Sequence, residues 1–288
     1  KLYYDKKKIR LENITGLYGG SPLFLDGEID RANIFDPQFS LHLKLPELLK
    51  TDLSNIPIFN DFNYSGFANI SIDVNGTPGN IKFEQQADLT TTKYKIASLI
   101  QKKKNTLNQF KAKGTFSNKD GLDIDNWVYQ LGGNKISGSI KIPNLDNPNF
   151  VVKLKSEEFK ADASYQLSKS WAAGGHIDFV IYGNGNLNNL QDSDLEGKIN
   201  LANLKIKPEK MSSDLTLNAK VSFKENRFDI RSANVALADS NFNFNGIYDR
   251  SHAPNLEIKL TGKKLNINEL MEDSQQKDAK VLDLFTKT

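Results

Sequence analysis

Three stretches of the chain repeat one pattern of residues at intervals of about 110 positions. Each stretch has an alternating segment containing a glycine, then a short polar loop, a proline and a second alternating segment. The glycines Gly27, Gly138 and Gly246 mark the same point in each stretch and are almost evenly spaced. This period exceeds the roughly 20–50 residues of ordinary solenoid repeats, so it indicates a larger module built from several strands.

A second set of glycines gives the same period. Gly66 and Gly76 correspond to Gly175 and Gly185, and the spacing within the two pairs is identical. The chain is therefore predicted to repeat one multi-strand module about two and a half times within one continuous domain. Its parts are a partial first module (1–64), a repeat module (65–173), a second repeat module (174–270) and a polar, helical tail (271–288).

Apolar and polar residues alternate along most of each module, as Ile70, Ile72 and Val74 alternate with Ser71 and Asp73. Successive side chains of a strand point to opposite faces, so each segment has one apolar and one polar face. Such alternation is typical of antiparallel sheets that are buried on one side. We predict an all-β, mostly antiparallel fold of roughly 18–22 strands, which would span about 90–100 Å in one sheet.

A few short helices are expected beside the strands. The segment "LPELLKTDL" at Leu45–Leu53 begins through a proline, and "YKIASLIQKK" at Tyr94–Lys103 has room for one or two helical turns. The last residues, 271–288, also have helical spacing of their apolar positions.

The charge pattern argues against a nucleic-acid partner. The net charge is +3, from 38 basic and 35 acidic side chains, and the lysines are scattered. Nucleic-acid-binding proteins have a broad basic stripe with aromatic residues between the charges. The one dense cluster, "QKKKN" at Gln101–Asn105, is interpreted as a solvated loop in preference to a phosphate or lipid-headgroup contact.

Neither catalysis nor a cofactor is expected from the residues present. The chain has no cysteine, which excludes disulfides and thiolate metal sites. The three histidines, His42, His176 and His252, lie far apart in the sequence and are interpreted as surface residues, with His42 pointing outward. No nucleophile elbow, P-loop or dinucleotide-binding motif occurs.

Two long segments resemble the AsmA-like superfamily of Gram-negative bacteria, and most closely its YhdP- and TamB-type members. They are "FKAKGTFSNKDGLDIDNWVYQLGGNKISGSIKI" from Phe110 and "VSFKENRFDIRSANVALADSNFNFNGIYDRSHAPNLEIKLTGKKLNINEL" from Val221. The shared features are a strand, a polar pair, an alternating strand ending in glycine, and a strand that follows a proline. The segment "ADLTTTKYKI" at Ala87–Ile96 is also similar to the YhdP type.

The resemblance implies an elongated, curved sheet that forms a trough with an apolar interior. Members of this superfamily are tethered to the inner membrane by an N-terminal helix, extend across the periplasm and carry phospholipids to the outer membrane. For this chain it implies a periplasmic segment with phospholipid as its partner. No apolar run here is long enough to span a bilayer, so a membrane anchor is expected outside this sequence. The oligomeric state is left open.

The lining of the implied groove would be the apolar faces of the alternating segments. Without the resemblance, aromatic residues such as Trp127, Tyr129 and Trp171 would be expected to fill a closed core, and with it they are expected to line the groove. The predicted lipid-contacting residues are Ile70, Ile72, Val74, Ile177, Phe179, Ile181, Leu215, Leu217, Phe242, Phe244, Leu256, Ile258 and Leu260.

A second hypothesis is a non-enzymatic periplasmic scaffold or an outer-membrane assembly factor. In that case each module would close its apolar faces on each other, as the two sheets of a sandwich do. The two hypotheses differ in whether the apolar faces are open to acyl chains.

Overall fold

The computed structural model describes residues 1–49, 63–96, 100–160, 174–206, 215–237, 240–251 and 254–264. These residues form nineteen strands and no helix, and every strand pair is antiparallel. The predicted all-β antiparallel class is confirmed. The strands are β1 (Leu2–Tyr4), β2 (Lys8–Tyr18), β3 (Ser21–Asp30), β4 (Gln38–Leu48), β5 (Asn63–Ser65), β6 (Ala68–Thr77), β7 (Asn80–Asp88), β8 (Lys93–Ile96), β9 (Ile100–Lys102), β10 (Asn108–Ser117), β11 (Gly121–Leu131), β12 (Asn134–Ile142), β13 (Asn149–Lys160), β14 (His176–Asn186), β15 (Asn189–Ile206), β16 (Leu215–Lys224), β17 (Arg227–Leu237), β18 (Ser240–Asp249) and β19 (Asn255–Lys264).

Sixteen of these strands form one sheet in which each strand pairs with the next along the chain. The order is broken only where the chain leaves the main sheet to form a separate small sheet of β5, β8 and β9. The outermost strands, β1 and β19, do not pair with each other, so the main sheet is open and consistent with a trough. Its sixteen strands are fewer than the predicted continuous run, and at about 4.8 Å per strand they span about 70 Å.

The predicted short helices are wrong wherever the structure describes them. Leu45 continues β4 and pairs with Ile70 of β6. Of the segment from Tyr94, residues 94–96 and 100–102 belong to β8 and β9 of the small sheet, and residues 97–99 lie outside the described residues. Pairing with a neighbouring strand overrides a weak local helical preference. Residues 50–53 and 271–288 lie outside the described residues. Within the described part of the chain, no helix is long and apolar enough to cross a membrane.

The period of the sequence pattern corresponds to six strands of the main sheet. Gly27 lies in β3, Gly138 in β12 and Gly246 in β18, which are the third, ninth and fifteenth strands of that sheet. A Cβ atom at these glycines would lie 2.1, 2.1 and 2.2 Å from a carbonyl oxygen of the next strand. Only glycine allows this close approach of two backbones. The module boundaries themselves remain a prediction.

Bulges with a left-handed residue recur in four strands of the main sheet. The residues are non-glycine, and each donates its backbone N–H to a side-chain oxygen of an Asp or Asn on the adjacent strand. Such bulges bend a strand and increase its twist, so these positions curve the sheet. The four pairs are Asn13 (φ 49°) with Asp26 at 2.7 Å, Glu47 (φ 62°) with Asn69 at 3.3 Å, Glu158 (φ 54°) with Asp178 at 2.6 Å, and Asn203 (φ 50°) with Asn218 at 2.8 Å.

Candidate functional site: the apolar face of the main sheet

The strand register places most of the apolar residues of the main sheet on one face. Residues directly opposite each other in an antiparallel pair project from the same face, so a row of partners can be followed from strand to strand. No described residue that the pairing places on this face of the main sheet is charged. One row runs through fifteen strands: Ile14, Leu25, Leu43, Ile72, Gln85, Ala112, Trp127, Gly138, Leu154, Ile181, Gly197, Phe223, Phe228, Tyr248 and Leu256.

All thirteen residues proposed from the sequence as lipid contacts lie on this apolar face. Ten of them are on interior strands and are partly buried, for example Ile72 and Phe179. The other three are on the edge strand β19, where Leu256, Ile258 and Leu260 are 59%, 52% and 56% exposed. Their contact with lipid remains a prediction.

The residues named from the sequence are only part of this face, which contains more apolar side chains outside that set than within it. Leu41 and Leu43 of β4 and Val152 and Leu154 of β13 belong to it. The same period-two alternation would have found them.

The opposite face of the sheet is polar and carries ion pairs between neighbouring strands. Glu84 and Lys113 face each other at 2.8 Å, and Asp123 faces Lys141 at 3.5 Å. His42 also lies on this face, as predicted, and its Nδ1 is 2.6 Å from Oδ1 of Asp73. The main sheet therefore has one face suited to water and one face suited to an apolar neighbour.

The remaining histidines and acidic residues form no candidate metal site where the structure describes them. His176 is exposed at the start of β14, and His252 lies outside the described residues. In those residues no group of three or more His, Asp or Glu side chains could hold a metal ion.

Aromatic rings of the apolar face lie across glycines of the adjacent strand. The position that a Cβ would take is 2.9 Å from the Phe83 ring at Gly114 and 2.9 Å from the Trp127 indole at Gly138. Further along, the rings of Phe223 and Phe228 stack with centroids 5.9 Å apart. The glycines thus make room for large rings to lie along the sheet. Trp171 lies outside the described residues.

The small sheet covers part of the apolar face over β10 and β11. Its Tyr94 is 4% exposed and hydrogen-bonds through its hydroxyl to the hydroxyl of Tyr129. The Asn108 side-chain amide donates to the Tyr94 hydroxyl at 2.7 Å. Burial raises the pKa of both the Tyr94 and the Tyr129 hydroxyl. These hydrogen bonds attach the small sheet to the apolar face of the main sheet.

Lys102 contradicts the interpretation of Gln101–Asn105 as a solvated loop. Its side chain is fully buried, and Nζ donates to the carbonyl oxygens of Thr90 at 3.0 Å, Thr92 at 2.5 Å and Lys103 at 3.2 Å. Burial lowers the pKa of this ammonium group. Lys103 and Lys104 are exposed, as the interpretation requires. The cluster therefore contains one structural lysine, which links the turn after β7 to β9.

Comparisons with protein-family models, with curated proteins and with solved structures find no match to this chain. The candidate site is therefore defined by its own geometry: an uncharged, apolar face that continues across sixteen strands.

Proposed function

We propose that the apolar face of the main sheet binds the acyl chains of phospholipids and lets them move along the sheet, without catalysis. The observation that carries the proposal is the register, which aligns the apolar side chains of consecutive strands on one face of an open sheet. An apolar surface of this extent normally marks an interaction site.

The physical chemistry of the face suits acyl chains. Burial of each methylene contributes about 0.8 kcal/mol, so two chains of ordinary length gain enough to stay bound. This attraction has no preferred direction, and the described part of the face has no charged side chain that would hold a lipid at one point. A bound lipid would therefore keep its acyl chains on the apolar face and its headgroup in water while it moves.

The resemblance to AsmA-like proteins supplies the cellular setting of the proposal. On that basis we place the chain in the periplasm, anchored to the inner membrane by a part outside this sequence, with phospholipid passing between the inner and outer membranes. The scaffold hypothesis needs modules closed on themselves. The open main sheet gives that hypothesis no specific support.

Native mass spectrometry and lipid extraction of the purified, detergent-free protein test the proposal. We expect bound phospholipid. A preparation that is free of lipid, and that takes up none from phospholipid vesicles, would contradict the proposal and favour the scaffold.

A tryptophan experiment locates the lipid on the sheet. The chain has two tryptophans, so Trp171→Phe leaves Trp127 as the only one. Phospholipids with brominated acyl chains should quench its fluorescence. The matched control carries Trp127→Phe, Trp171→Phe and Val128→Trp, because Val128 projects from the polar face at the adjacent position. Equal quenching of both proteins would rule out binding to the apolar face.

A further inference from the structure

Among the described residues, no strand pairs with the outer edge of β19. β19 is ten residues long and, within the described part of the chain, pairs only with β18. Its three apolar side chains are more than half exposed. The other edge strand, β1, has only three residues. A long edge strand with free backbone N–H and C=O groups readily accepts a further strand.

The sequence of β19 is complementary to itself in an antiparallel pair. If two copies of β19 meet about a two-fold axis at Ile258, this residue faces its own copy and Leu256 faces Leu260 of the second copy. On the polar face, Glu257 then faces Lys259 of the second copy, and Lys259 faces Glu257. Opposite charges directly across a strand pair stabilise it, and like charges destabilise it.

The charges of Glu257 and Lys259 have no ion-pair partner among the described residues of their own chain. Among the described residues, Glu257 accepts one weak hydrogen bond, from the Asn255 amide at 3.3 Å. Their partners across the strand pair in β18 are the uncharged Ile247 and Asn245. Both charges are exposed and are thus available to a second copy.

We propose that two copies of this chain associate through β19, in antiparallel register about Ile258. Because the two-fold axis is perpendicular to the sheet, the apolar faces of both copies lie on the same side and join into one surface. The contact uses the same patch on both chains, so it closes as a dimer and does not extend into a fibre. This inference stands whether or not the apolar face binds lipid.

A cysteine experiment tests the register directly, since the chain has no cysteine of its own. In the proposed pair, the two Cα atoms at position 258 are about 4.5–5.5 Å apart, within the reach of a disulfide. The two at position 256 are about 14 Å apart, at about 3.4 Å per residue. Mild oxidation should therefore give a covalent dimer of Ile258→Cys and none of Leu256→Cys. Equal cross-linking of both variants, or of neither, would overturn the proposed register.

A charge-reversal cycle tests the association without cysteine. By sedimentation equilibrium, Glu257→Lys and Lys259→Glu should each weaken self-association about tenfold, because two like-charged pairs replace two opposite ones. The double variant Glu257→Lys/Lys259→Glu restores opposite charges across the pair and should recover the dimer. A wild-type protein that stays monomeric at tens of micromolar, or a double variant no better than the single ones, would refute the proposal.

Discussion

Glu47 and Glu158 occupy the same place in the fold, although one full period of the sequence pattern separates them in the chain. Both are left-handed, with φ of 62° and 54°, and both donate their N–H to a side chain of the next strand. A non-glycine residue in this conformation costs on the order of 1 kcal/mol. The two bulges lie six strands apart in the main sheet, so the sheet bends in the same way at corresponding points of the sequence pattern.

Replacing Glu158 with glycine should stabilise the protein. Glycine adopts the left-handed conformation without the steric cost, so Glu158→Gly should raise the free energy of unfolding by about 0.5–1 kcal/mol. Glu157→Gly removes the same charge at a neighbouring position with ordinary φ, and it should lower the free energy of unfolding. Urea denaturation of both variants makes the comparison. Two equally destabilised variants would contradict the strain at Glu158.

Adding a methyl group at Gly138 should destabilise the main sheet. Its Cβ would lie 2.1 Å from the Lys153 carbonyl oxygen and 2.9 Å from the Trp127 ring. We expect Gly138→Ala to lower the free energy of unfolding by about 2–3 kcal/mol, and to shift Trp127 fluorescence in a Trp171→Phe background. At Gly133 a Cβ would meet nothing within 4 Å, so Gly133→Ala is the matched control. Equal stability of the two would show that the strands can separate at no cost.

Removing the ammonium group of Lys102 should loosen the small sheet. Lys102→Met leaves three carbonyl oxygens without their donor, and we expect a loss of about 2–3 kcal/mol in the free energy of unfolding. Lys104→Met removes an equal charge from an exposed position and should change stability by less than about 0.5 kcal/mol. Chemical denaturation measures both, and similar small effects would argue against a structural role for Lys102.

Stability should fall at alkaline pH because of Tyr94 and Tyr129. The pKa values of both hydroxyls are raised in the folded protein. Their contribution to the free energy of unfolding is therefore complete below about pH 10, where tyrosine ionises in the unfolded chain. It is lost as the pH rises further, because only the unfolded chain then gives up these protons. The pKa of Lys102 is lowered, so near pH 10 its effect on the pH dependence of stability is opposite to that of the tyrosines. Lys102 is present in both proteins compared below, so it affects both equally.

The double variant Tyr94→Phe/Tyr129→Phe isolates this effect. Between about pH 9 and pH 11 the wild-type protein should lose about 2 kcal/mol more stability than the variant does. Urea titrations of both proteins at the two pH values provide the measurement. Parallel losses would mean that the two hydroxyls ionise in the folded protein as readily as in the unfolded chain.

A charge on the apolar face should displace lipid. Ile72 lies between Leu43 and Gln85 in the middle of this face, so Ile72→Asp would force acyl chains against a carboxylate that retains its water. We expect about tenfold less bound phospholipid by native mass spectrometry. Ser71→Asp places the same charge on the polar face of β6 and should leave lipid binding unchanged. A folded Ile72→Asp protein with a full load of lipid would remove the basis of the lipid-binding proposal.

The alternation of residues predicted one part of the fold well, because it is a local pattern. The spacing of Ile70, Ile72 and Val74 alone predicts that they share the apolar face, and they lie there. The sequence could not predict the place of Tyr94, which lies against Tyr129 in a distant part of the chain. The burial of Lys102 is unpredictable from the sequence for the same reason, since its carbonyl partners at Thr90 and Thr92 belong to a separate turn. Contacts between separate segments leave no period in the sequence.

Each period of the sequence pattern contributes six strands to the main sheet, and this number is even. After an even number of antiparallel strands, the chain is on the same side of the sheet, at the strand ends, as where it began. The next strand then runs in the original direction. Duplication of one such cassette in the gene would therefore insert about 29 Å of sheet without inverting any later strand. The length of such a sheet can therefore change in steps of about 29 Å while every strand keeps its direction.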